Sequence, residues 1–87
     1  MHFRIEYVAS TRGEGYVFAR QVELGHFNFP ESPTLGGIAI KPHISQPRAL
    51  LADGSPDLTI FAFHLVLCSD TAKLSVGQVV ELSGERA

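Results

Sequence analysis

Four histidines, one cysteine and a scatter of carboxylates are the residues of this chain best suited to chemistry. His2, His26, His43 and His64 are spread from end to end, and no two stand at the H-x-H or H-x-x-x-H spacing that brings two imidazoles to one metal. The single Cys68 supplies neither a thiolate cluster nor an intrachain disulfide. His64 and Cys68 stand at i and i+4. On a strand they share a face but lie roughly 13 Å apart, too far for an imidazole to take the thiol proton. Asp53 and Asp57 enclose Gly-Ser-Pro, which is a turn sequence and lacks the dense oxygen ligands and closing Glu of a calcium loop. No nucleophile is paired with a base, and no cation with ligands, so neither an enzyme nor a metal or cofactor site is expected.

Aromatic residues offer a different kind of site. Tyr16, Phe18, Phe27 and Phe29, with Arg20 among them, are suited to a platform on which single-stranded bases stack; aromatics at i and i+2 on strands also serve as core or as barrel exterior. His64 interrupts an apolar run, as a hydrogen-bonded core or interface residue would. Tyr16, Phe18, Arg20 and His64 are therefore the candidates for contact with a ligand or partner.

The charge balance limits what that partner can be. Seven Lys and Arg stand against nine Asp and Glu, a net charge of −2, and only Lys41 and Lys73 are lysines. A protein that grips nucleic acid through phosphates needs a basic stripe, which is missing, so DNA is not expected, RNA is only weakly supported, and polybasic membrane attachment is disfavoured. The first residues, MHFRIEYVAS, lack a signal-peptide core, and the uncharged run Leu58 to Ser69 is too short to cross a bilayer as a helix. The expectation is a soluble cytoplasmic protein.

These residues need elements to hold them. At 87 residues the chain has room for one domain, 1–87, and one core. A domain of this size buries only about 60–65% of its unfolded surface, and the 45% hydrophobic content leans towards a partner covering part of the rest. Six strands are predicted. They are His2 to Ala9, with Phe3, Ile5 and Tyr7 on one face; Tyr16 to Leu24; Leu35 to Lys41, with Gly36-Gly37 at its start; Ile44 to Leu51, confined to an edge or a bulge by Pro47; Leu58 to Cys68; and Gln78 to Leu82. Turns are expected at Ser10 to Glu14, Pro30 to Thr34, Ala52 to Asp57 and Ser69 to Val76, the last with a helical turn capped by Ser69 or Asp70. Turn signals every eight to twelve residues point to a barrel or sandwich of antiparallel strands.

Leu58 to Cys68 is apolar on both faces, as a strand buried on both sides would be. Run straight it would measure roughly 36 Å, so either it bends at a bulge or one face meets another chain. Phe61, Phe63, Leu65 and Leu67 are the candidate interface residues.

Gly13, Gly15, Val17, Val22 and Gly25 fall in a phrase, GEGYVFARQVELG, that resembles the hairpin G-x-G-x-V-x-x-G-x-V-x-x-G of the second domain of elongation factor Tu-type translational GTPases. Arg20 stands where that family's middle glycine usually lies. Leu35-Gly36-Gly37-Ile38 is similar to the family's next strand, and Leu74 to Val79 to its closing strand. The order and spacing hold from about Phe3 to Gly84. The resemblance implies an all-β fold, a single small closed antiparallel barrel of about six strands, here standing alone. The chain contains no G-x-x-x-x-G-K-[ST] run, so no nucleotide hydrolysis is implied. Residues 33–41 depart from the PilZ motif [DN]-x-S-x-x-G, since Ser32 precedes Gly36 by one residue too many and Pro30 replaces the acidic or amide residue.

The functional expectation is a non-catalytic binding module that docks a protein partner, or less strongly an RNA end, and self-associates through Leu58 to Cys68. The alternative is a small-ligand sensor or enzyme accessory domain with a pocket at one barrel mouth near His64.

Overall fold

Two tight turns with positive backbone φ start the architecture. Arg12 (φ 54°) and Gly13 (φ 78°) join β1 (His2–Thr11) to β2 (Glu14–Gln21), and Gly36 (φ 61°) and Gly37 (φ 82°) join β3 (Ser32–Leu35) to β4 (Ile38–Ser45). Two consecutive residues with positive φ make a type I′ turn, whose twist matches that of the strands it joins. Gly36-Gly37 is therefore a hairpin turn and not the start of a strand. The preceding residues, expected to be a turn because of Pro30 and Pro33, supply β3.

In this computed structural model, residues 1–85 are described except Leu24, His26, Arg48 and Ala49, with only the backbone of Glu85. The expected ends of the second and fourth strands fall partly on Leu24 and on Arg48-Ala49, and one of the four histidines is His26, all outside the described residues.

With β5 (Ile60–Leu65) and β6 (Val79–Glu85), the strands close an antiparallel barrel in the order β1-β2-β5-β4-β3-β6. Closure leaves no sheet edge along the paired lengths. Two boundaries differ from expectation. The fourth strand does not run from Ile44 to Leu51: β4 continues through Pro42 and ends at Ser45, and a long loop follows. β5 is six residues long, because Val66 and Leu67 turn away into a 3-10 helix, Cys68–Lys73. Neither Ser69 nor Asp70 caps that helix; its N-cap is Leu67, with no side-chain bond, and Asp70 instead pairs with Lys73 at 3.0 Å.

The interior is filled by side chains, as in other small barrels. Phe3, Ile5, Val17, Leu35 and Phe63 are fully buried, with Ile40, Leu65, Val80 and Leu82 around them. Phe3 is the hub of an aromatic cluster. Its ring meets Phe27, Phe61 and Phe63 edge to face, with centroids 5.3, 5.9 and 5.1 Å away, an arrangement favoured by the ring quadrupoles. Phe27, on the crossing from β2 to β3, thus caps one end of the core. β5 is buried on both sides, with Ile60 and Ala62 beside the outward Arg20 and Phe18 of β2.

One irregularity sets the outer surface. Between Ile5↔Ala19 and Tyr7↔Phe18 the register slips by one residue at Glu6. Such a β-bulge reverses the alternation beyond it. Phe3 and Ile5 point inward, but Tyr7 points out and is 56% exposed, with Val8 packed against the core in its place. The expectation that Tyr7 shares a face with Phe3 and Ile5 is corrected by that one residue. The backbone of Ile5 stays bonded on the β6 side, to Gln78 (2.8 Å) and Gly77 (2.7 Å).

Candidate aromatic face on the barrel exterior

Outward positions on four adjacent strands carry rings that meet in two groups on one face. Tyr7 on β1 lies against Phe18 on β2, with centroids 5.8 Å apart. Two residues back along β2, Tyr16 stands opposite His64 of β5 in the ladder, and their rings meet at 4.8 Å. His64 in turn meets His43 of β4 at 4.7 Å. The register places these rings side by side, since directly opposed residues on a sheet face are near enough for side-chain contact. His43 reaches the row because the β4–β5 register shifts between Ile40 and Ile44.

Charge is balanced around the row. The Tyr16 hydroxyl donates to the Glu14 carboxylate, and Lys41 Nζ lies 3.7 Å from the same carboxylate. That hydroxyl bond, aided by Lys41, lowers the Glu14 pKa, and the same bond raises that of Tyr16. His64 is held below its ordinary value of 6.5, chiefly by burial and then by His43 and Lys41, with Glu14 pulling the other way. Burial disfavours a charged imidazole, so the His64 ring is neutral on this wall at pH 7.

Arg20 has another task. Its Nε donates to Glu6 Oε1 (2.7 Å), and its Nη1 donates to the Asp57 carboxylate and to Thr59 Oγ1 (3.0 Å). Asp57 also accepts from the Thr59 hydroxyl (2.6 Å) and backbone N–H (3.0 Å). The Thr59 hydroxyl and then Arg20 lower the Asp57 pKa to about 2. The guanidinium ties the long β4–β5 loop to the bulge in β1, and its forked donors face groups of its own chain. Where the elongation-factor pattern has a flexible glycine, this chain has a regular strand position, Arg20 pairing with Arg4 on one side and Ile60 on the other.

The sequence candidates therefore separate. Tyr16, Phe18 and His64 lie on one face, and Arg20 stands next to them on β2 as a clamp. Phe27 and Phe29 pack on the core, so the five-residue stacking platform is not one surface. Of the interface candidates, Phe63 (0% exposed) and Leu65 (2%) point into the barrel's own core, and Phe61 packs against it; Leu67, 57% exposed, is the one that offers open apolar surface. Sequence reasoning missed Tyr7, hidden by the unforeseen bulge, and His43, for which Pro42 was the available sign of an irregular strand. Asp53 closes a local turn by accepting from the Ser55 backbone (3.0 Å) and hydroxyl (2.6 Å), well apart in role from Asp57.

Among the described residues, no three His, Cys, Asp or Glu side chains gather to hold a metal ion, and no helix is long and apolar enough to cross a membrane. Comparison with protein-family models, with curated proteins and with solved structures gives no match.

Proposed function

We propose that the barrel is a non-catalytic docking module that seats a protein partner on the row Tyr7, Phe18, Tyr16, His64 and His43. The observation that carries this reading is the placement of two contacting groups, Tyr7–Phe18 and Tyr16–His64–His43, on one face of four adjacent strands, part-buried at the centre and exposed at Tyr7 and His43. Aromatic side chains on a rigid scaffold give large contact area at small entropic cost, and protein interfaces are enriched in them. The glycine and strand pattern shared with the second domain of elongation factor Tu-type GTPases supports the same reading, since in that family the barrel packs on the GTPase domain. A partner gripped through phosphates is less favoured. Lys41 is drawn to Glu14 and Arg20 to Asp57 and Glu6, which leaves the face short of free cations.

The test is capture of partners from native cell extract by wild-type protein, by a Tyr7→Ser/His43→Ser double variant, and by Leu67→Ser. Both surface variants keep the core. A partner bound by wild type and by Leu67→Ser but lost by the double variant supports the assignment. Equal retention by all three removes the ring face from consideration. A labelled oligonucleotide should show no anisotropy change at low salt and micromolar protein, and a clear change would turn the reading towards RNA.

A further inference from the structure

A second concavity lies on the β3–β4–β6 side and shares no residue with the ring face. β3 and β4 pair only at Leu35↔Ile38 and Thr34↔Ala39. Continuing that register would set Pro33 against Ile40 and Glu31 against Pro42. Proline has no backbone N–H, so the ladder lacks a donor on each strand at the point where it stops. The strands part there and leave an open cleft of about 600 Å³, within the range of roughly 300–1,000 Å³ common for small-molecule sites.

The lining is chemically one-sided. Pro33, Ala39 and Ile40 make an apolar wall, and Ser32, Thr34 and Ser83 add hydroxyls. The Thr34 hydroxyl donates to the Ser83 carbonyl (3.3 Å) and accepts from the Ser83 hydroxyl (3.1 Å), which leaves acceptor lone pairs on both hydroxyl oxygens for an incoming donor. Among the described residues, Glu31 is the one charged group of the lining, and no Lys, Arg or His joins it there. Lys41, next in sequence to two lining residues, is turned towards Glu14 on the other side of β4. Among the described residues no cation pairs with Glu31.

We infer that the cleft opened between Pro33 and Pro42 binds a small amine or amidine with an apolar body, its cationic nitrogen facing Glu31 and the hydroxyls. Among the described residues an anion would meet a carboxylate and no counter-charge. A peptide strand would need ladder donors to add to the sheet, and the two prolines have removed them from this edge, so the occupant is a small molecule. Gly84 lets β3 and the Pro30 ring pack close against β6 at the edge of the cleft: a Cβ there would lie 2.6 Å from the Ser32 carbonyl oxygen and 2.8 Å from Pro30.

The test is a titration of the ¹⁵N-labelled protein with phenethylamine, and in parallel with 2-phenylethanol, phenylacetate and a capped pentapeptide centred on arginine. Phenethylamine should saturate, shifting the amides of Thr34, Ala39, Ile40, Ser83 and Gly84. The alcohol should bind about fivefold more weakly, as expected for one solvent-exposed ion pair, and phenylacetate more weakly still. Glu31→Gln should bring amine and alcohol to equal affinity, and Ala39→Phe, which fills the cleft from an exposed position, should abolish both, each variant keeping the dispersed spectrum of the folded barrel. Several results overturn the inference: no saturation at about 10 mM amine, a weaker affinity than such sites need; equal affinities in wild type; shifts centred elsewhere; or tighter binding of the peptide than of phenethylamine.

Discussion

Arg20 and Asp57, 37 residues apart in sequence, are joined by a direct hydrogen-bonded ion pair on the outer wall of the barrel. Asp57 is only 5% exposed, and the Thr59 hydroxyl and N–H satisfy its other oxygen. The same guanidinium holds Glu6 at the bulge. One side chain thus joins a strand, a bulge and a loop, and its removal would leave two carboxylates facing each other without their cation.

Replacing Arg20 by Gln should lower the melting temperature by several degrees, and Asp57→Asn should do likewise, with the double variant costing less than the sum of the two. Acid should act through the same pair. A carboxyl whose folded pKa lies near 2, below the ordinary 3.8, stabilises fully above pH 4 and loses that contribution as pH falls from about 4 towards 2. Thermal melts between pH 7 and 2 on wild type and Asp57→Asn check this, the variant showing the shallower acid limb.

His64 gives a second pH window of the same sign. Its folded pKa is below 6.5, so the unfolded chain binds the proton more readily, and stability is lost as pH drops below about 6.5. Melting curves from pH 7.5 to 5 should shift downward, and His64→Gln should flatten that shift. A wild-type curve that is level across the window would show that burial and His43 do not act on this ring as described.

Core and surface along β5 and its exit should separate cleanly. Phe63→Ala empties space in the core beside Phe3 and should cost about 3–5 kcal/mol, enough to unfold a domain of marginal stability. Leu67→Ser should change stability by no more than about 0.5 kcal/mol. Denaturant titrations read both. Sedimentation of Leu67→Ser tests whether the exposed leucine supports self-association, which a monomeric wild type at high concentration would refute.

Arg12 occupies the first position of a type I′ turn with φ of 54°, where a side chain other than Asn, Asp or Gly is strained. Arg12→Asn creates the Asn-Gly pair that this turn prefers and should stabilise by about 1 kcal/mol, raising the melting temperature by roughly 4–8 °C in a domain of this size. An unchanged or lower midpoint would show that the turn is not strained.

Much of the barrel was readable from punctuation and alternation. Gly13 marked the first hairpin, while Gly15 proved to be a paired position inside β2, and Phe3 and Ile5 announced an inward face that the core uses. Pro33 hid β3, because a strand residue without an N–H reads as a breaker, and only the pairing of Leu35 with Leu82 and of Thr34 with Ser83 on β6 shows why it is tolerated. Periodicity could suggest that Leu58 to Cys68 was buried on both sides, but not that Phe63 faces Phe3 while Leu67 escapes into a helical turn. Of the candidate face, Tyr16, Phe18 and His64 were legible as types. Their meeting with Tyr7 and His43 was not, since it depends on two register slips that leave no periodic trace.

The surplus residue at Glu6 gives β1 two phases, like a zipper with one tooth too many. Everything from Tyr7 to the first turn owes its inside or outside to a count rather than to the chemistry of any one letter. Relatives of this chain would be free to vary the letters of that segment, and would keep an exterior ring beside Phe18 only while preserving the number of residues between Ile5 and the turn.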